Sequence, residues 1–326
     1  MKRIEHLEDL ALHLDYKELL EITSALIHAC YGERIGHLSI KYDGCPAIVF
    51  GRTDDGDEFI STKSYFNKTP ILYKSEEEIK TSGRDPVLIE KLLFYWQHLS
   101  WTFRGLENGR IFSADVLCDP WSRTPLGCRP NIIEYRPKEF AGLRGYWKYW
   151  EYMKLHLAIH TEIISGEEKP ADSLSNSISG MSTEIYGLDS LKQSGIGNLL
   201  DDMTFLQFIP DLAKEKTHFD KCKKKINDVL RNADHHQSWW MDVPLTVEGI
   251  QTRNWSLLHD IKMQLLYHLD KHAHKPFDTF LDDKEIGGEG YVFRYKDYCI
   301  KLVDRYEFSK RNFDQSTPRG WKRTSK

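Results

Sequence analysis

Short β-rich stretches stand near both ends of this chain, and helical patterning fills the middle. This arrangement constrains the fold more than any other feature, because the strands at the two ends must close on one another around whatever lies between. HLSIKYDGCPAIVFGR, from His37, is rich in β-branched and aromatic residues and is punctuated by Asp43-Gly44. TDDGDE reads as a turn and FISTKSYF as a further strand, so 37–66 is expected to hold three strands. RIFSADVL (110–117), NIIEYRP (131–137) and KLHLAIHTEII (154–164) are also read as strands, and strand character returns at 287–304.

Helical period marks Leu7, Leu10, Ala11 and Leu14, then Leu19, Ile22, Leu26 and Ala29, and so predicts one or two amphipathic helices over 4–30. Residues 76–104 carry Ile89, Leu92, Leu93 and Trp96 on one stripe, and 186–280 are mostly helical in pattern. GEEKPADSLSNSISG reads as a linker or surface loop. The expected fold class is α+β. Residues 1–165 and 281–310 form one discontinuous domain, 166–280 a mostly helical insertion, and 311–326 a basic flexible tail.

Of 326 residues, 40% are hydrophobic, enough for a full core. A formal charge of −4 excludes a uniformly basic nucleic-acid binder but not a local basic groove. The six cysteines include no C-x-x-C pair, so reduced thiols are expected in place of a disulfide framework. No apolar run suits a membrane span or a signal peptide, and a cytoplasmic location is expected.

Three stretches carry chemistry. In Ile40-Lys41-Tyr42-Asp43-Gly44 a lysine ends an apolar strand just before a turn. A lysine attacks only as the neutral amine, a form favoured by burial or a neighbouring cation; otherwise the motif is a solvated strand end. In Gly288-Glu289-Gly290-Tyr291-Val292 a glutamate stands between glycines that allow a ligand close to the backbone. Its carboxylate suits a hard divalent cation beside phosphate oxygens, or it is an ordinary hairpin residue. Tyr298-Cys299-Ile300-Lys301-Leu302-Val303 presents one lysine on an apolar strand.

In this order the three resemble the nucleophile (K-x-D-G), E-G-x-V and K-x-K motifs of the covalent nucleotidyltransferases, the superfamily of ATP-dependent DNA ligases, RNA ligases and mRNA-capping enzymes. Phe59-Ile60-Ser61-Thr62-Lys63-Ser64 falls where that family carries a basic residue near the nucleotide. Phe112-Ser113-Ala114-Asp115-Val116-Leu117 falls where a strand acid contacts ribose or metal. IEHLEDL, KYDGCPAIVFG, STKSYFNK, PNIIEY and IHTEIISG further resemble uncharacterised ligase-like proteins of tailed bacteriophages, which would place the protein in a host cytoplasm. Pro46 stands where the superfamily often has arginine, with Arg52 the nearest substitute. Asp115 replaces a common glutamate, and only one lysine of K-x-K is present.

The resemblance implies a ligase-type adenylation domain of antiparallel sheets and helices. DNA ligases and capping enzymes usually carry an OB-fold after the last lysine motif, but only 22 residues follow Asp304 here, and no OB-fold is expected. It implies that Lys41 attacks the α-phosphate of ATP (GTP is not distinguished), giving a lysyl-AMP that passes to a 5′-phosphate end of RNA, or of DNA, before sealing to a 3′-hydroxyl. Mg²⁺ or Mn²⁺ would be held by Glu289 and Asp115. Lys41, Asp43, Gly44, Arg52, Lys63, Asp115, Glu289 and Lys301 form the implied nucleotide site, with Tyr135 or Phe112 as an aromatic lid over the base. Asp43 is expected to fix the turn. Capping or AMPylation of another acceptor, and a non-catalytic nucleic-acid-binding relic, are the competing outcomes. Lys214, Lys216 and the Lys221–Lys225 run, and the tail residues Arg319, Trp321, Lys322 and Arg323, are either phosphate contacts or solvated charge. His259, His268, His272 and His274 share helical spacing without a completing thiol or acid, and no chemical role attaches to His160.

Overall fold

A computed structural model describes residues 4–42, 44, 46–119, 134–137, 155–164, 166–170, 183–186, 216–232, 250–273, 277–281, 284–286 and 288–307. The protein is α+β, and its contacts divide it into two compact units. One is Met1–Lys41, Ser190–Lys275 and Glu289–Pro318; the other is Tyr42–Asp189, Pro276–Gly288 and Arg319–Lys326.

In the first unit a four-stranded sheet runs in the order β1 (Glu5–His6), β13 (Tyr298–Leu302), β12 (Tyr291–Tyr295), β2 (His37–Ile40). β12 is antiparallel to both neighbours, and the short β1 lies parallel to β13. Period-two alternation sends Leu38, Tyr291, Phe293, Ile300 and Leu302 to one face, where they join a single buried cluster. The cluster is completed by Leu19, Ile22 and Leu26 of α1 (Tyr16–Cys30), Ile226 and Leu230 of α4 (Lys216–Asn232), and Trp255, Leu258, Ile261, Leu265 and Leu269 of α5 (Ile250–His272). α1 starts where Asp15 accepts a hydrogen bond from the Glu18 N–H, a side-chain cap for an otherwise unpaired donor. The two long helices expected as an insertion, α4 and α5, thus belong to the same unit as β2 and β12.

The second unit holds β3 (Ala47–Arg52), β4 (Glu58–Thr62), β5 (Arg110–Cys118), β7 (Leu155–Ile164) and β8 (Glu167–Pro170) in the order β4-β3-β5-β7-β8, with β9 (Thr183–Tyr186) parallel to β7. α2 (Glu76–Lys80) and α3 (Pro86–Arg104) supply its helical layer. Asp85 caps α3 and Pro86 opens it, a proline placed where the missing N–H costs nothing. Leu92, Tyr95, Leu99 and Phe103 of α3 pack on Ile48, Phe50, Ile60, Phe112 and Leu157 of the sheet. A three-stranded sheet pairs β10 (Phe277–Leu281) with β11 (Lys284–Ile286) and β6 (Glu134–Pro137).

Four expectations change. Only Glu8–Leu12, a 3₁₀ turn, and α1 are helical in 4–30, and a strand precedes them. The third strand of 37–66 stops at Thr62, and Lys63–Phe66 form a 3₁₀ turn. The 76–104 helix is two helices. Glu167–Pro170, expected as linker, pairs with β7 as the end strand of its sheet, a position that tolerates polar side chains.

Candidate functional site

The apolar face of the first unit's sheet is committed to the helices, so the opposite register positions are left for chemistry. Ser39, Val292, Cys299 and Lys301 occupy that register, and Lys41 continues it one residue past β2. The Lys41 N–H donates to the Gly290 carbonyl at 2.8 Å, extending the ladder beyond the strand and fixing the root of the lysine. From there Lys41 Nζ donates to Glu289 Oε2 at 2.5 Å. The pair is largely withdrawn from water, with side-chain exposures of 17% and 2%. A charge-assisted contact this short and this desolvated is far stronger than a surface pair.

Gly290 makes the approach possible. Its φ is +122°, and a Cβ there would lie 2.0 Å from the Leu302 carbonyl oxygen. Only glycine lets β12 begin so close to β13, which explains one of the two glycines around Glu289.

Lys301 stands on β13 opposite Val292 on one side and His6 on the other. No side chain among the described residues pairs with its ammonium. Burial, reinforced by the positive charges of Arg305, Lys41 and Lys223 and opposed by Asp9, pulls its pKa below the usual lysine value. An unpaired, partly desolvated cation of this kind favours an anion as its partner.

Behind it lies an ionic junction that periodicity did not reveal. Glu8 and Asp9 are completely buried, as is Lys262 of α5. Glu8 Oε1 meets Lys262 Nζ at 2.7 Å and Arg305 Nη1 at 3.5 Å; Asp9 Oδ1 accepts from Arg305 at 2.9 Å and from Trp255 Nε1 at 3.3 Å. Asp9 Oδ2 is 3.4 Å from Lys223 Nζ, and Arg305 also donates to Asn227 Oδ1 at 2.9 Å. Burial alone would raise the Asp9 carboxyl, but Arg305 and Lys223 override it and hold the pKa below the ordinary value. His6 is held well below its ordinary pKa, first by burial and then by Arg305, Lys262, Lys301 and Lys223. With Lys41 and Lys301 added, five cations share this region with the carboxylates Glu8, Asp9 and Glu289. Among these described groups the cations outnumber the carboxylates. Of the lysine run on α4, Lys223 is spent on Asp9, whereas Lys221, Lys224 and Lys225 are exposed.

The remaining expected residues lie in the second unit. Asp115 on β5 is 3.0 Å from His160 Nε2 on β7, which provides the partner that sequence reasoning lacked for that histidine. Gly44 packs so closely that a Cβ would lie 2.2 Å from the Val116 carbonyl oxygen. Arg52 turns its guanidinium to the carbonyls of Gly56 and Leu106, clamping a loop. Three of its five N–H donors are thereby engaged in structure. Lys63 is exposed on the 3₁₀ turn and not on a strand. Phe112 is fully buried across from Phe50, and Tyr135 is buried edge-on to Tyr42. Phe112 is thus a core residue and not a lid. Asp43 lies outside the described residues, as do His274, Lys214 and the 311–326 tail.

As to metals, among the described residues no group of three or more His, Cys, Asp or Glu is arranged to hold an ion. Glu289 by itself offers the hard carboxylate that Mg²⁺ needs when phosphates and water complete its shell. The described histidines of the helical set, His259, His268 and His272, make no metal centre; the last two are ring neighbours at 4.7 Å. Cys30, Cys222 and Cys299 are not in disulfides. Among the described residues no helix is long and apolar enough to cross a membrane.

With this geometry in view, the comparisons are brief. The chain belongs to a family of unknown function (DUF6267), whose model matches residues 2–244 and 246–317. No curated protein and no solved structure matches it.

Proposed function

We propose that the protein is an ATP-dependent nucleotidyltransferase of the polynucleotide-ligase type, closest to RNA ligases, with Lys41 as the nucleophile. The observation that carries this reading is the pairing of Lys41 with Glu289, on the sheet that also bears the unpaired Lys301. That Lys41, Glu289 and Lys301, three residues singled out by motif order, stand on one sheet supports this reading.

Lys41 Nζ attacks the α-phosphorus, a P–N bond forms, and the bond from that phosphorus to the bridging oxygen breaks to release pyrophosphate. The amine must first lose a proton. Glu289 Oε2, already hydrogen-bonded to Nζ, is the acceptor within reach. Lys301 supplies positive charge for the phosphoryl oxygens as negative charge spreads over them. A divalent cation bound with the triphosphate would neutralise the leaving pyrophosphate, and Glu289 would hold it as the carboxylate once the proton taken from Nζ has passed to solvent. The assignments of Asp115, Gly44 and Arg52 to the nucleotide rest on the sequence resemblance, Arg52 with the donors its loop leaves over, and Lys63 lies exposed on the turn after β4.

The same pair favours a second reading. A carboxylate beside an amine stabilises the ammonium form, so a non-catalytic relic would also look like this at rest. Incubation with α-labelled ATP or GTP and Mg²⁺ or Mn²⁺ separates the two. Acid-labile label on wild type and none on Lys41→Ala supports transfer; no label with either nucleotide favours the relic. A chase with 5′-phosphorylated RNA or nicked DNA then distinguishes ligation from modification of another acceptor.

A further inference from the structure

Between Glu58 and Glu76 the chain contains no acidic residue and three lysines, Lys63, Lys68 and Lys74. This stretch leaves β4, makes the 3₁₀ turn Lys63–Phe66, and returns so that Tyr73 bridges Ile60 through two backbone hydrogen bonds of 2.9 and 3.0 Å. It is pinned within as well: Ser61 Oγ donates to the Ile71 carbonyl at 2.5 Å, and the Ile71 N–H to the Ser64 carbonyl at 3.4 Å. The excursion is a held loop with its ends closed.

Its aromatic residues are stepped outward. Phe59 is buried, Tyr65 stacks on it with ring planes 6° apart, and Phe66 stands edge-on to Tyr65 at 5.2 Å with 53% of its surface in solvent. Folding normally hides a phenylalanine, and the ring below supports this one from beneath. Lys74 is tied to Asp57, but Lys63 and Lys68 are exposed and have no ion-pair partner among the described residues. Burial, with the charges of Asp54 and Glu168, raises the Tyr65 hydroxyl above its ordinary pKa, and Phe66 is the more exposed ring of the two.

We propose that this loop is a binding platform for single-stranded polynucleotide, with Phe66 stacking on a base and Lys63 and Lys68 meeting the flanking phosphates. Every base presents a π-face, and its backbone presents the anions that two unpaired lysines lack. A preorganised loop loses little entropy on binding. A bilayer would attract the same lysines, but anchoring scales with buried apolar area, and Phe66 with Ile71 offers little. The platform rests on the loop's own chemistry and does not depend on Lys41 taking a nucleotide.

The test is fluorescence anisotropy of the full-length chain with labelled single-stranded RNA, and DNA of the same sequence, across a salt series and without ATP. Wild type should bind, and binding of either oligonucleotide supports the platform, with the tighter one naming the sugar preferred. Phe66→Ala should weaken binding about five- to a hundred-fold while Phe66→Trp retains it. Lys68→Ala should reduce the slope of log affinity against log salt by about 0.7. Absence of oligonucleotide binding overturns the proposal, including the case in which the chain binds anionic phosphatidylserine vesicles instead. So does a Phe66→Ala affinity equal to wild type, or a Phe66→Trp variant as weak as the alanine.

Discussion

Lys41 and Glu289 are 248 residues apart in the chain, yet the amine of one lies 2.5 Å from a carboxylate oxygen of the other. The contact closes the first unit, because one residue follows β2 and the other precedes β12. Removing one charge leaves the other poorly solvated. Glu289→Ala should therefore cost roughly 2 kcal/mol, below the range for fully buried pairs because Lys41 keeps some access to water. Urea denaturation with an unchanged slope would measure it.

Asp9, itself completely buried, holds Arg305, Lys223 and Trp255 together. Asp9→Ala leaves the Arg305 guanidinium uncompensated and should destabilise by about 3–5 kcal/mol. The double variant Asp9→Ala, Arg305→Met should be less destabilised than the sum of the two single changes. An additive double variant would mean the two groups are not coupled.

His6 predicts a pH dependence with a definite sign. Its folded pKa lies well below the ordinary 6.5, so in the window beneath 6.5 the unfolded chain binds a proton that the folded chain does not. Stability is full above that value and falls as pH drops through it, by at most about 1.4 kcal/mol per unit for this one group. Burial comes first, and Arg305, Lys262, Lys301 and Lys223 add to the preference for the neutral form, while the Glu8 carboxylate 3.9 Å from Nδ1 acts against it. Denaturation midpoints measured from pH 7.5 to 5 should decline in wild type and decline less in His6→Gln.

Gly290→Ala places a methyl 2.0 Å from the Leu302 carbonyl oxygen at a φ of +122°. The strand cannot yield without breaking its pairing with β13, so a loss of about 3 kcal/mol or more is expected, larger than an ordinary glycine substitution. Thermal unfolding followed by circular dichroism would measure it.

Much of the sheet framework was legible because its strands alternate. Tyr291, Phe293, Ile300 and Leu302 fall on one side of the pleat, leaving Lys301 on the other. The meeting of Lys41 with Glu289 came from motif order, since periodicity contains no long-range pairing. The ionic junction was not legible. A pattern reading sends Glu8, Asp9 and Lys262 to solvent, and only the three-dimensional arrival of Arg305 makes their burial tolerable. Phe112 was misread as a lid because its strand was recognised without its neighbour; across the ladder it meets Phe50. Lys63 was misplaced because β4 ends in a side-chain-capped turn at Thr62.

The most direct test of the central claim is intact-protein mass spectrometry after incubation with ATP and Mg²⁺, followed by peptide mapping. The account predicts one added adenosine monophosphate, on the peptide containing Lys41, lost on acid treatment and absent from Lys41→Ala. A wild-type chain that stays unmodified with every nucleoside triphosphate and either divalent cation, or an adduct that persists in Lys41→Ala, would contradict it.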